Sequence, residues 1–229
     1  AVAFALFGTF ASFGIGSSVQ SNTVALAVEN GFGPETWITG VIITVFSALV
    51  ILGGIKSIAK ASSVIVPIMA VGYMAGGLVI ILNNLELVVP ALKMIVTYAF
   101  TGEAAAGGAI GAAIRYGVAR GVFSNEAGMG SAPIADAAAK TDHPARQGLV
   151  SMTGTFIDTI IVCSITGIVL VMGFIMAGQS FGDQNGAVLT ISVFDKLLPG
   201  IGGWVVTFGV IFFAYSTILG WSYYGEKCA

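Results

Sequence analysis

Residues 115–133 read Arg-Tyr-Gly-Val-Ala-Arg-Gly-Val-Phe-Ser-Asn-Glu-Ala-Gly-Met-Gly-Ser-Ala-Pro. The run before this stretch, Gly107 to Ala119, is small and apolar, and the run after it, Ile134 to Ala139, is helix-forming. Between them sit Ser124, Asn125, Glu126, Gly128 and Gly130. A continuous membrane helix does not carry such a cluster at mid-depth, because polar side chains are costly in lipid and paired glycines weaken the backbone ladder. Ser131 can cap a new helix and Pro133 suits a first turn. The spacing therefore predicts a helix broken at the midplane, with residues 132–141 as a downstream half-helix of roughly 15 Å. The alternative is an ordinary helix that ends at Asn125, followed by a loop from Glu126 to Ser131. A break has a chemical use. The upstream half would end near Ser124 with unpaired carbonyls that attract a cation or an ammonium. The downstream half would present unpaired N–H groups that suit a carboxylate. Together they would clamp a zwitterion, an arrangement found at binding sites in secondary transporters.

Composition supplies the solvent. Of the 229 residues 56% are hydrophobic and 9% charged, against roughly 25% charged in soluble domains. Mean hydropathy is +0.96. A soluble chain of this length cannot hide that much apolar surface, whereas a bilayer accepts it. The 32 glycines fit close helix packing in membranes. A net charge of −2 points away from nucleic acid. Cys163 lies in an apolar run and Cys228 at the extreme end, which predicts no disulfide framework. Residues 1–28 lack the basic start and small-residue cleavage site of a signal peptide. Both ends read as cuts, so the chain is expected to be a single transmembrane domain, 1–229, truncated at both ends.

About 20 apolar residues are needed to cross the hydrocarbon core. Six spans are predicted: 2–28, 36–54, 64–83, 106–139 (interrupted), 148–177 and 203–224. The third is read as opening at Pro67, and Gly72 with Gly76 gives it a small-residue packing surface. The stretch 178–202 reads as a long polar loop carrying a surface helix at 187–198. In this arrangement Lys56, Lys60, Lys140, Arg146 and Lys227 fall on one side, with only Lys93 and Lys196 as bases on the other. The positive-inside rule then places the loops 55–63 and 140–147 and both chain ends in the cytoplasm.

Further polar residues lie within the apolar runs. Gly16, Gln20 and Thr23 share a helical face, and Gln20 either touches a ligand or bonds a neighbouring helix. Ser151, Thr155, Asp158, Thr159 and Thr166 line a face of the fifth span. Asp158 needs a partner at that depth. The sequence offers Arg120 and Arg115, with Glu126 a competing acid, so an ion pair of Arg120 with Asp158 or Glu126 is expected to fix the broken helix. In the last span Ser216 and Thr217, with the carbonyl of Phe213, are hard oxygen ligands for a small cation. The competing reading is hydroxyls bonded back to the preceding turn. Thr217 and Trp221 share a face. His143 reads as a loop residue. No serine-protease, zinc or phosphate-loop motif is visible, which leaves an enzyme a distant reading.

At these residues the sequence closely resembles the alanine or glycine:cation symporter family, within the amino acid–polyamine–organocation superfamily. The likeness is carried by Arg-Gly-Val-Phe-Ser-Asn-Glu-Ala-Gly-Met-Gly-Ser-Ala-Pro (120–133), His-Pro-Ala-Arg-Gln-Gly-Leu-Val (143–150), Phe-Ile-Asp-Thr (156–159), Ser-Thr-Ile-Leu-Gly-Trp-Ser-Tyr-Tyr-Gly-Glu (216–226), Val-Gln-Ser-Asn (19–22) and Gly-Gly-Ile-Lys (53–56). The resemblance implies an all-α fold of two inverted five-helix repeats, the LeuT type, of which the six spans would be core helices 3 to 8. It implies sodium-coupled symport of a small neutral amino acid, alanine or glycine, across the cell membrane of a bacterium or archaeon. It implies sodium ligands at Phe213, Ser216 and Thr217, and substrate contacts from Gln20, Phe123, Ser124, Asn125, Gly128, Thr217 and Trp221. Trp221 departs from the Asn of many members and would favour a small side chain by filling space. A proton-coupled transporter of the same fold, using Glu126 or Asp158, and a cation channel lined by the polar faces are the rival readings.

Overall fold

The computed structural model describes residues 2–100, 125–178, 184 and 186–229. Among the described residues all regular structure is helical. Numbered along them, the helices are α1 Val2–Phe32, α2 Thr36–Ile51, α3 Gly54–Asn83, α4 Leu85–Phe100, α5 Glu126–Met129, α6 Ala132–Asp136, α7 Pro144–Met176, α8 Gly186–Leu197 and α9 Gly202–Cys228. By length and composition α1, α3, α7 and α9 can each cross a membrane, and α2 is a shorter apolar helix.

The chain divides into two compact units. The first comprises residues 1–76 and 182–229. Here α9 packs along both α1 and α8, and α2 lies against α1 and α9. Its core is formed by Val24, Ala27, Val193, Phe194, Val206, Thr207, Leu219 and Trp221. Glycines set the spacing. A Cβ on Gly202 would overlap the Phe194 carbonyl, and one on Gly76 would lie 2.6 Å from Val205. Larger residues cannot occupy these crossings without displacing their neighbours, as expected where small residues let membrane helices meet. Between the helices, Gly33 (φ 81°) and Gly200 (φ 83°) make the left-handed turns that end α1 and precede α9.

The second unit comprises residues 77–181. In it α4 packs on the second half of α7, and the short α5 and α6 lead to the first half. Ile80, Ala91, Val169 and Met172 are buried. Gly77 meets α7 so closely that a Cβ there would overlap Ile165 Cγ2. Many large apolar side chains remain exposed, Leu52 at 86%, Phe7 at 75% and Val89 at 72% among them. Water does not tolerate a surface of that kind, whereas hydrocarbon and neighbouring membrane helices do.

Several expected boundaries move. Residues 55–63 are not a loop. They form the first turns of α3, a 30-residue helix about 45 Å long, with Pro67 inside it rather than at its start. A helix that outruns the ~30 Å hydrocarbon core places its first turns in the polar interface, where exposed Lys56 and Lys60 extend to water. Residues 85–100 form α4 although no span was expected there, because Glu86, Pro90 and Lys93 break the apolar window. The surface helix at 187–198 is present as α8, but Val193, Phe194 and Leu197 bury its apolar face against α9.

Two wide turns had no sequence signal. Residues 12–18 of α1 and 156–162 of α7 are π-helical. In α1 the Val19 N–H and the Ser18 hydroxyl reach carbonyls five residues back, on Gly14 and Phe13. In α7 the Cys163 N–H reaches Asp158 in the same way. Insertions of this type are uncommon and cluster at functional sites.

Candidate functional site

In the second unit the chain breaks where the polar cluster stands. Asn125 is extended (φ −146°, ψ 151°), and its side-chain oxygen accepts from the Ala127 N–H at 2.9 Å, capping α5. Glu126 occupies the first turn, where a carboxylate is favoured by the helix dipole. One turn later Gly130 adopts φ 75°, ψ 13°. The Ser131 N–H bonds the Glu126 carbonyl at 3.2 Å and the Gly130 N–H bonds that of Ala127 at 3.3 Å. This is a Schellman closure, which the left-handed glycine makes possible. Pro133 opens α6 as expected.

Two details differ from expectation. Ser131 does not cap α6. Its own backbone is helical (φ −84°, ψ −28°), which turns its hydroxyl back to the Glu126 carbonyl at 3.4 Å, and the residue is 3% exposed. The downstream helix also stops at Asp136, short of the expected 141. The Ala138 and Ala139 N–H groups bond carbonyls only three residues back, both at 3.0 Å, which tightens the last turn.

The broken segment is tied to α7 at two places. Asn125 Nδ2 donates to Asp158 Oδ2 at 3.2 Å, and Thr155 Oγ1 donates to Asn125 Oδ1 at 3.4 Å. Asp136 accepts from Gln147 Nε2 at 2.7 Å and from Ser151 Oγ at 2.7 Å. The partner of Asp158 among the described residues is thus an asparagine amide. Arg115 and Arg120 lie outside the described residues, as do Phe123, Ser124 and the upstream half of the expected broken helix. Asn125 Oδ1 accepts from both the Ala127 N–H and the Thr155 hydroxyl, whereas Nδ2 uses one of its two N–H donors on Asp158. Gly128, in the middle turn of α5, is exposed. His143 is more than a loop residue: its Nδ1 accepts from the Ala145 N–H at 3.2 Å and caps α7.

In the first unit, Ser216 Oγ and Thr217 Oγ1 both donate to the Phe213 carbonyl, each at 2.9 Å. The back-bonded reading of these hydroxyls therefore describes the geometry. It also gathers the three oxygens, with the hydroxyl lone pairs still available to a cation. Gln20 Nε2 reaches the Ile15 carbonyl at 3.5 Å, beside the wide turn of α1. Trp221 is 5% exposed and lies directly over Gly16, where an added Cβ would overlap its Cβ and Cγ. Trp221 also borders a cavity of about 350 Å³ with Thr9, Ser12, Ser17, Ser222 and Glu226. Among the described residues, neither Gln20 nor Thr217 lines that cavity. Among the described residues no cluster of His, Cys, Asp and Glu could hold a metal ion.

These residues sit in a sequence whose full length, residues 1–229, matches the model of the Sodium:alanine symporter family. The chain belongs to that family. It is 60% identical over 227 residues to the sodium/alanine symporter AgcS of Methanococcus maripaludis, covering 99% of this chain and 50% of that protein. It is 42% identical to the probable sodium/glutamine symporter GlnT of Bacillus subtilis over 94% of this chain and 45% of the relative. The putative sodium/proton-dependent alanine carrier YrbD of the same organism is 37% identical, over 99% and 49% respectively. The chain spans about half the length of the curated relatives it matches. Membership in a transporter family, together with four helices of membrane-crossing length among the described residues, makes this a membrane-embedded chain.

Proposed function

We propose that the protein containing this chain couples the sodium gradient to uptake of a small neutral amino acid, alanine or glycine, by alternating access in the cell (inner) membrane. Family membership and the AgcS likeness support the chemistry. The observation that carries the site is the turn at 125–131, where an extended Asn125 and a left-handed Gly130 interrupt regular helix within an apolar chain. In this reading the fold is the LeuT type, with the six expected spans as core helices 3 to 8, and both ends of the break face the zwitterion. Substrate contacts come from Gln20, Phe123, Ser124, Asn125, Gly128, Thr217 and Trp221, and sodium is held by Phe213, Ser216 and Thr217. An Arg120, Glu126 and Asp158 group stiffens the broken helix. Lys56, Lys60, Lys140, Arg146 and Lys227 mark the cytoplasmic side. Each inward charge at 100 mV supplies about 2.3 kcal/mol for accumulation.

The name of YrbD favours a second reading, in which protons also drive uptake, with Glu126 or Asp158 as the proton site. Uptake of labelled alanine by the full-length protein in proteoliposomes separates the two. Uptake with an inward sodium gradient and none with potassium supports sodium coupling, and Ser216→Ala with Thr217→Ala should then raise the sodium concentration for half-maximal uptake at least tenfold. Equal uptake in both salts, rising with an inward proton gradient, moves coupling to the carboxylates. Unchanged sodium dependence in the double variant removes the assignment to those hydroxyls.

A further inference from the structure

We propose that Asp136 is a positioning residue: it latches the segment after the break onto α7, so that this segment and α7 move as one body during transport. The consequence for transport rests on the symport reading, whereas the latch itself rests on geometry. Helices of four and five residues are too short to be stable by themselves. Neither α5 nor α6 contains a buried residue, so no fully buried side chain of theirs anchors them within the unit. Polar contacts remain. Asp136 closes α6, and both of its oxygens are occupied at 2.7 Å, one by Gln147 and one by Ser151. These are short bonds to a charged acceptor, the stronger class of hydrogen bond.

The partners lie in register. Gln147, Ser151, Thr155 and Asp158 follow at spacings of four, four and three along α7, a single helical stripe about 16 Å long. The upper pair grips Asn125 at the start of the broken segment, and the lower pair grips Asp136 at its end. A segment pinned at both ends to one helix cannot turn independently of it. Movement of α7 therefore carries the turned backbone at Gly130 with it.

The test uses the full-length protein in lipid nanodiscs and proteoliposomes, with three variants. Gln147→Glu replaces the donor by a carboxylate facing Asp136, so the latch should open. Asp136→Asn retains it, because the amide oxygen accepts from Ser151 and Gln147 can rotate to accept from the amide nitrogen. Asp136→Asn with Gln147→Glu restores a donor–acceptor pair with its direction reversed. Amide hydrogen exchange over residues 132–139 should quicken at least tenfold in Gln147→Glu and return to within threefold of wild type in the double variant. Sodium-driven turnover should fall and recover in parallel. Exchange and turnover unchanged by Gln147→Glu, or a double variant no better than Gln147→Glu, would overturn the latch. If Gln147→Glu does not fold, Ser151→Ala decides: a few-fold quickening confined to residues 132–139 supports the latch, and none overturns it. A wild-type protein that takes up no alanine with sodium removes the symport reading, while the exchange results still decide the latch.

Discussion

Replacing Asn125 by Asp tests the upper grip on the broken segment. Asp still caps α5 through the Ala127 N–H, so local helix chemistry is kept. What changes is the partner of Asp158, which becomes a second carboxylate where the amide nitrogen stood 3.2 Å away. Coulomb's law at an effective dielectric of about 20 gives a repulsion of about 5 kcal/mol at that separation, and rotation of the two side chains brings the expected cost to about 2–4 kcal/mol. Asp158→Asn alone costs about 1 kcal/mol, because its amide oxygen still accepts from Asn125 and only the charge assistance is lost. Combining the two substitutions reverses the bond, with the new amide at position 158 donating to the new carboxylate at position 125. The double variant should return to within about 1 kcal/mol of wild type. The assays are thermal unfolding of purified full-length protein and sodium-driven alanine uptake. The reasoning fails if Asn125→Asp is tolerated as well as Asp158→Asn, or if the double variant shows the sum of the two single costs.

Two further expectations concern glycines. Gly77→Ala places a Cβ onto Ile165 Cγ2 and should destabilise by about 1–3 kcal/mol. Adding Ile165→Ala removes the offending methyl, the next Ile165 atom being 3.8 Å away, so the pair should unfold at a higher temperature than Gly77→Ala alone. Gly130→Ala forces an L side chain into φ 75° at a cost of about 1–2 kcal/mol. Loss of uptake should exceed loss of stability there, and a variant with wild-type uptake would show that the left-handed turn is dispensable.

Much of this was legible in the residues. The interruption after Asn125 was readable because Ser124 to Ser131 gathers polar side chains and glycines in the sequence, and Gly130 is the residue that turns the chain between α5 and α6. The long apolar helices were readable from run length alone. The start of α3 was not, because two lysines in a span are read as a loop although a 30-residue helix carries them into the interface. The π-helical turns left no composition signal, although in α1 the wide turn includes Gly16, on which Trp221 packs. Asp136 was overlooked for a related reason: it stood in a run read as plain helix, and only its distance to Gln147 and Ser151 shows its use.

The polar face of α7 and the break explain one another. In hydrocarbon a helix carrying Ser151, Thr155 and Asp158 would be costly, and so would a chain interrupted at Asn125 and Gly130. Side by side, each satisfies the other. Asn125 supplies the donor that Asp158 needs, and Ser151 with Gln147 supplies the donors that Asp136 needs. Thr166 turns its hydroxyl to its own helix, at the Val162 carbonyl. The expected arginine partner is thus not required for Asp158 to be hydrogen-bonded. The Asn125 amide holds the carboxylate in a fixed direction, and direction is what the turned segment between Asn125 and Pro133 needs if its backbone is to meet a ligand in one orientation.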